Sequence, residues 1–103
     1  MFIDPRKLTA YLLNEDHPVG AAKARFFTRF GFDIQQWQEF AEALKQHLST
    51  AVLDDIDGSS AYGEKRTYRC NLPTPDGRDP CILSVWQFRG DDWHLVTAVP
   101  QPE

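Results

Sequence analysis

Apolar residues in the first half of the chain recur at helical spacing. After Asp4-Pro5, a good helix opening, Leu8, Tyr11 and Leu12 predict a short helix to about Leu13. A second stripe predicts a helix from Pro18 or Val19 to Phe30: Val19, Ala22, Phe26, Phe27 and Phe30. A third and longest stripe follows Asp33: Ile34, Trp37, Phe40, Ala41, Leu44 and Leu48. The pattern therefore predicts three N-terminal helices.

The hydrophobic period changes to two in the second half. Residues 65–72 alternate, residues 81–88 are apolar on both faces, and residues 93–99 predict a last strand. Turn residues separate these runs at 73–77 and 90–92. The pattern fades over residues 49–63, and the polar run 54–60 is expected to be a loop. We therefore expect an α+β fold in one domain, residues 1–103, with the helices packed on a three- or four-stranded antiparallel β-meander.

Composition places the chain among ordinary globular domains. Its 103 residues are 42% apolar and 25% charged, which suits a single core. The net charge of −4 argues against adhesion to nucleic acid by charge alone, but residues 1–50 carry six basic and six acidic side chains and leave room for a local basic face. No stretch has the length of a signal peptide core or a membrane helix, so we expect a cytoplasmic protein that does not contact the membrane.

Metal and thiol chemistry receive little support from the sequence. The three histidines are far apart, and neither cysteine belongs to a C-x-x-C pair, so neither a metal nor another cofactor is predicted. Cys70 and Cys81 flank the Asp76-Gly77 turn, and a cross-strand disulfide there is one alternative. Buried unpaired thiols are the favoured interpretation, because the chain has no secretion signal.

The segment His17-Pro18-Val19-Gly20-Ala21-Ala22-Lys23 suggests an anion site. If a helix starts at Pro18, the free amides of Val19, Gly20 and Ala21 point out of its N-terminus, where a phosphate would also meet His17 and Lys23. The alternative is structural: Pro18 simply begins the helix, and the stem of Lys23 covers the neighbouring phenylalanines.

Polar residues also interrupt the apolar strands. Arg69, Ser84, His94 and Thr97 lie there; by alternation, Ser84 shares a face with Ile82, Trp86 and Phe88, and Thr97 shares one with Trp93, Leu95 and Val99. Such a face could hold an RNA backbone and assist 2′-hydroxyl attack, with His or Lys as acid–base groups. The alternative is an ordinary half-solvated sheet.

Several of these segments resemble a known family. They are Lys7-Leu8 with Tyr11-Leu12-Leu13, His17 to Gly20, Lys23 to Phe27, Gly31-Phe32, Tyr68, Asp76 to Arg78, Ser84 to Trp86, and Leu95 to Pro100. The chain resembles an uncharacterised family of small domains that occur as stand-alone bacterial proteins and at the C-termini of polymorphic-toxin-like proteins. Its order of elements also resembles the barnase, EndoU, colicin and RelE group of ribonuclease folds. The resemblance implies an RNA-cleaving domain with catalytic His17, Lys23, Ser84 and Thr97. The residue pattern itself suggests that Val19, Gly20, Ala21 and Arg69 bind an anion.

Two hypotheses about function follow. The first is a metal-independent, toxin-like ribonuclease, or a degenerate relative of one, with RNA as its partner. The second is a non-enzymatic module that binds the product of a neighbouring gene. The acidic second half and an excess of aromatic residues favour the second, because Trp86, Phe88 and Trp93 could form an exposed patch.

Overall fold

The first helical segment contains a widened turn. The structure, a computed structural model that describes residues 1–58 and 63–101, begins with helix α1 (Pro5–Lys7). Asp4 caps α1 by accepting a hydrogen bond from the Arg6 amide at 3.0 Å. The chain continues as a π-helical turn, Leu8–Leu12, in which the Leu13 amide donates to the Leu8 carbonyl at 2.7 Å. The predicted first helix is thus present, with its second half wider than an α-helix.

The other two helices follow the predicted stripes with shifted ends. Helix α2 covers Ala21–Arg29, so the predicted start at Pro18 or Val19 is wrong: residues 18–20 form a turn. A 3₁₀ turn (Ile34–Gln36) capped by Asp33 leads into helix α3 (Trp37–Thr50). None of the helices in the described ranges is long and apolar enough to cross a membrane.

Four antiparallel strands form one sheet in the order β1-β2-β3-β4. Their bounds are β1 Val52–Asp57, β2 Lys65–Arg69, β3 Ile82–Arg89 and β4 Asp92–Pro100. Strand β1 overlaps the start of the predicted loop 54–60, because pairing with β2 overrides its polar composition; residues 59 and 60 of that loop lie outside the described residues. Within residues 1–58 and 63–101, the fold is α+β with three helices and a four-stranded sheet. Phe2, which precedes the helices, forms an isolated parallel bridge with His94 of β4. The predicted order, with all helices before all strand pairing, is therefore not strict.

A register shift in β4 changes which side chains share a face. Leu95 pairs with Trp86, whereas Thr97 pairs with Val85, so the strand has an irregularity around Val96. The prediction that Thr97 and Leu95 share a face is therefore wrong. Leu95 points with Trp86 toward the core, and Thr97 lies on the other face.

The core lies between the helices and one face of the sheet. Its largest fully buried side chains are Trp86, Phe27, Phe40, Leu8, Leu12, Leu44, Leu72 and Ile82. The predicted exposed aromatic patch is therefore wrong for Trp86. Phe88, in contrast, is 38% exposed at the end of β3.

The two cysteines form a disulfide, which contradicts the expectation of unpaired thiols. Cys70 follows β2 and Cys81 precedes β3, so the antiparallel pairing of these strands brings the two residues together. The Cys70 amide also donates to the Ile82 carbonyl at 2.9 Å. The pairing of β2 with β3 therefore brings the two thiols together, whereas the absence of a secretion signal favoured unpaired thiols.

Reduction of this disulfide is expected to lower the free energy of unfolding by about 3 kcal/mol, because the bridge closes a short loop in the unfolded chain. Urea unfolding with and without dithiothreitol measures the difference. A Cys70→Ser/Cys81→Ser variant should resemble the reduced protein and should not respond to the reductant. Equal stability of the oxidised and reduced wild type would contradict the prediction.

Candidate functional site

Tyr11, Lys23 and Thr97 meet where the helices approach the edge of the sheet. Lys23 Nζ donates a hydrogen bond to Tyr11 Oη at 2.5 Å and lies 3.5 Å from Thr97 Oγ1. The ammonium group is also 5.0 Å from the centre of the Tyr11 ring. All three side chains are half-buried, so the cluster is both held by protein contacts and accessible from solvent. We call these three residues the tyrosine cluster.

The position of Tyr11 depends on the π-helical turn and on Gly20. A Cβ atom added at Gly20 would lie 2.6 Å from Tyr11 Cδ1 and 2.8 Å from the Tyr11 carbonyl oxygen. Any larger residue would therefore push the ring away from Lys23. The Tyr11 ring therefore packs directly against the Gly20 backbone.

His17 adjoins the tyrosine cluster and caps the turn before α2. Its Nδ1 atom accepts hydrogen bonds from the amides of Val19 at 3.0 Å and Gly20 at 2.8 Å. Because Nδ1 is an acceptor, the neutral ring carries its proton on Nε2. The ring packs edge-on against Tyr11, with centroids 5.0 Å apart.

The amides predicted to bind an anion have acceptors within the chain. Besides the two amides on the His17 ring, the Ala21 amide donates to the His17 carbonyl at 3.0 Å. A phosphate at these amides would have to replace the His17 ring as the acceptor. Their role in anion binding stays a prediction.

Electrostatics favour ionisation of Tyr11. The hydrogen bond from Lys23 is the largest cause of a lowered pKa for this phenol, and the charge of Lys23 and a hydrogen bond with Thr97 add to it. Burial opposes the shift, since it disfavours the phenolate. The cluster therefore pairs a phenol that ionises more easily than usual with a cation.

The phenol of Tyr11 is expected to ionise at a lower pH than an ordinary tyrosine, because its pKa is lowered by Lys23. Ultraviolet absorbance of the phenolate, followed during an alkaline titration, should contain an early phase that Tyr11→Phe removes. Lys23→Met should move that phase to higher pH, because the cation that favours the phenolate is gone. An unchanged titration curve in the Lys23 variant would contradict the assigned cause.

A surface cavity of about 320 Å³ opens beside Tyr11 and is lined by Asp4, Arg6, Lys7 and Tyr11. The Asp4 carboxylate is paired with Arg6, since its Oδ2 accepts a hydrogen bond from Arg6 Nη2 at 2.8 Å. Lys7 is close enough for its charge to contribute to the lowered pKa of Tyr11. The surroundings of the tyrosine cluster can therefore attract an anion.

Two predicted site residues lie elsewhere. Ser84 is fully buried, where its Oγ accepts from Trp86 Nε1 at 3.0 Å and lies 2.7 Å from His47 Nδ1. Burial lowers the pKa of His47, so this network is a neutral polar element of the core. Arg69 lies on β2, two strands from Thr97, and pairs with Asp54 at 3.5 Å. The structure thus brings together His17, Lys23 and Thr97 but not Ser84 or Arg69.

Sequence reasoning missed Tyr11, the residue at the centre of the cluster. Tyr11 was assigned to an apolar helix stripe, and the spacing of that stripe says nothing about its hydroxyl. The signal that could have found it is the nearby Gly20, since a glycine inside a helix opening often marks close packing against another side chain.

The cluster is equipped for proton transfer and for stabilising negative charge. It combines a phenol, an ammonium group and a hydroxyl within hydrogen-bonding distance of one another. Within residues 1–58 and 63–101, no group of three or more His, Cys, Asp or Glu side chains is placed to hold a metal ion.

The fold and the cluster define a small α+β domain with a polar site at the junction of its two halves. The chain matches the family described as "Domain of unknown function (DUF6883)" over residues 1–102, and it belongs to that family. No curated protein matches it.

A solved structure shares the fold. It is described as "Contact-dependent growth inhibition toxin - immunity protein complex from Klebsiella pneumoniae 342", and one of its chains is similar to this one with a TM-score of 0.73 and 16% identity. The similarity covers 98% of this chain and 100% of that chain. At this identity, the likeness establishes the fold alone.

Proposed function

We propose that the domain is a toxin-like ribonuclease that cleaves RNA in the cytoplasm with its own side chains. The observation that carries the proposal is the contact of Lys23 with both Tyr11 and Thr97 beside an accessible cavity. The likeness to a chain of a toxin–immunity protein complex supports the toxin class. The resemblance to barnase, EndoU, colicin and RelE folds supports RNA as the substrate.

In the proposed reaction, Tyr11 as phenolate takes the proton from a ribose 2′-hydroxyl. The 2′-oxygen then bonds to the adjacent phosphorus, and the bond from phosphorus to the 5′-oxygen breaks, which leaves a 2′,3′-cyclic phosphate. Lys23 stabilises the charge on the phosphoryl oxygens and gives its proton to the leaving 5′-oxygen. The proton on Tyr11 then returns to Lys23 across their hydrogen bond, so no proton is gained or lost by the protein.

The remaining residues are assigned supporting roles. Thr97 holds the Lys23 ammonium group, and His17 offers its Nε2 proton to a phosphate oxygen. The amides of Val19 and Gly20 act through the His17 ring, which they orient, and the Ala21 amide donates to the His17 carbonyl oxygen. We assign Ser84 to the core, because its hydroxyl is fully buried, and Arg69 at most to a distant part of the RNA.

We also propose that the domain acts with a partner protein. The structurally similar chain comes from a complex of a toxin with an immunity protein, and a nuclease that acts on cellular RNA requires control. A non-enzymatic module that binds a neighbouring gene product is the alternative function. The observation that favours it is the apolar surface of β1, where Leu53 is 42% exposed and Ile56 is 50% exposed.

Incubation of the purified protein with labelled total RNA in the presence of EDTA separates the two functions. The wild type should fragment the RNA, and a His17→Ala/Lys23→Ala variant should not. Equal and negligible cleavage by both proteins would reject the nuclease and leave the interaction module.

A further inference from the structure

Strand β1 is exposed along its whole length. All six of its residues are exposed, and three of them are large apolar side chains: Val52 (69%), Leu53 (42%) and Ile56 (50%). Apolar side chains at this density on a six-residue strand are unusual for a surface that stays in water. The strand therefore has the character of a surface that another molecule covers.

The register divides the β1 side chains between two chemically different faces. Leu53 and Ile56 pair with Tyr68 and Arg66, which in turn pair with Ser84 and Trp86 of the core-facing row. The apolar face of the sheet thus continues onto β1.

The opposite face of β1 is acidic. Asp55 pairs with Thr67 and Asp57 with Lys65, and these partners lie in the rows of Val85 and Gln87, on the face of the sheet opposite Trp86. β1 therefore carries Leu53 and Ile56 on the helix side, and Val52, Asp55 and Asp57 on the other side.

β1 also forms one edge of the sheet. It stands at the end of the strand order, and in the described ranges only β2 pairs with it. At the opposite edge, the chain itself covers part of β4, since the Leu95 amide donates to the Phe2 carbonyl at 3.1 Å. An uncovered edge strand presents backbone donors and acceptors that can pair with a strand of another protein.

We propose that β1 is a docking strand for an extended segment of a partner protein. That segment has apolar residues on the side that meets Leu53 and Ile56, and Lys or Arg on the side that meets Asp55. A second copy of the chain fits poorly, because antiparallel pairing of two β1 strands over their full length would place Asp54 of each opposite Asp55 of the other. The inference rests on the proposed partner protein and is independent of RNA cleavage.

A peptide of ten residues in which lysine and valine alternate is a suitable probe, with a control of the same composition that has all lysines at one end. Hydrogen exchange should slow at the β1 amides when the alternating peptide binds. Asp55→Lys and Ile56→Lys should each weaken binding by at least about tenfold, as measured by fluorescence anisotropy. Glu42→Lys on α3, which makes the same charge change as Asp55→Lys, should change the affinity by less than about twofold.

Equal binding of the two peptides, protection of amides outside β1, or equal affinity of all variants would overturn the proposal. So would a concentration-dependent dimer, measured by sedimentation, that Ile56→Lys abolishes. RNA cleavage by the same variants keeps the two proposals apart. A failure of docking with intact cleavage rejects only the β1 surface, whereas intact docking without cleavage rejects only the nuclease.

Discussion

Replacement of Lys23 by methionine is expected to slow RNA cleavage by about 100-fold, the usual effect of removing one charged group that stabilises a transition state. Methionine keeps most of the length and apolar stem of lysine but can neither donate to Tyr11 and Thr97 nor carry a charge. The rate measured with saturating labelled RNA should fall, while far-ultraviolet circular dichroism and urea unfolding show a folded protein.

Lys45→Met is the matched control for this prediction. Lys45 lies on α3 and is half-buried, as is Lys23, so the same substitution removes the same charge away from the tyrosine cluster. Its rate should stay within about twofold of the wild type, with any change due to long-range charge alone. Similar losses in both variants would mean that general electrostatic attraction of RNA, and not the cluster, determines the rate.

The largest effect on stability is expected for Phe40→Ala, at about 3–5 kcal/mol. Phe40 is fully buried, and its ring centre lies 4.7 Å from that of Phe27 and 4.6 Å from that of Phe32. The substitution leaves a cavity between the helices that neighbouring rings cannot fill. Because small domains are stable by only about 5–15 kcal/mol, the variant should be close to unfolding at 25 °C.

Phe88→Ala makes the same chemical change at a partly exposed ring and serves as the control. Phe88 packs on Trp93 with centroids 5.2 Å apart but stays 38% exposed. Urea unfolding should give a loss of no more than about 1 kcal/mol. Losses of similar size for Phe40 and Phe88 would contradict the assignment of the core.

The helical half was largely predictable because its stripes are long and coincide with burial. Phe27, Phe40 and Leu44 all belong to predicted stripes, and all are fully buried. The ends were less predictable: Val19 was assigned to the second stripe and is 74% exposed. There, hydrogen bonds from two amides to His17 stop the helix short, and hydrophobic periodicity carries no information about such bonds.

The sheet half shows how pairing overrides local pattern. Strand β1, with the sequence Val-Leu-Asp-Asp-Ile-Asp, has too many aspartates to suggest a strand, and only its partner β2 explains it. The irregularity around Val96 likewise reverses the face of Thr97, which simple alternation cannot foresee. The Cys70–Cys81 disulfide follows from the same tertiary pairing.

Part of the candidate site could be predicted, and part required the fold. The sequence predicts three residues of the site, His17, Lys23 and Thr97, and the structure places them around Tyr11. Tyr11 itself is not among the site residues that the sequence predicts. Ser84 could have been assigned to the core, because it alternates with Ile82 and Trp86, which are both apolar. Contacts between residues far apart in sequence, such as Lys23 with Thr97, depend on tertiary packing and leave no local pattern.

The chemical ends of the RNA fragments test the proposed reaction most directly. Total RNA is treated with the wild type in the presence of EDTA, and the fragments are analysed by mass spectrometry. Attack by the 2′-hydroxyl predicts 2′,3′-cyclic phosphates and free 5′-hydroxyl groups, both strongly reduced with Lys23→Met. Fragments with 5′-phosphates, or no fragments at all at high protein concentration, would contradict the assignment of the tyrosine cluster as a ribonuclease site.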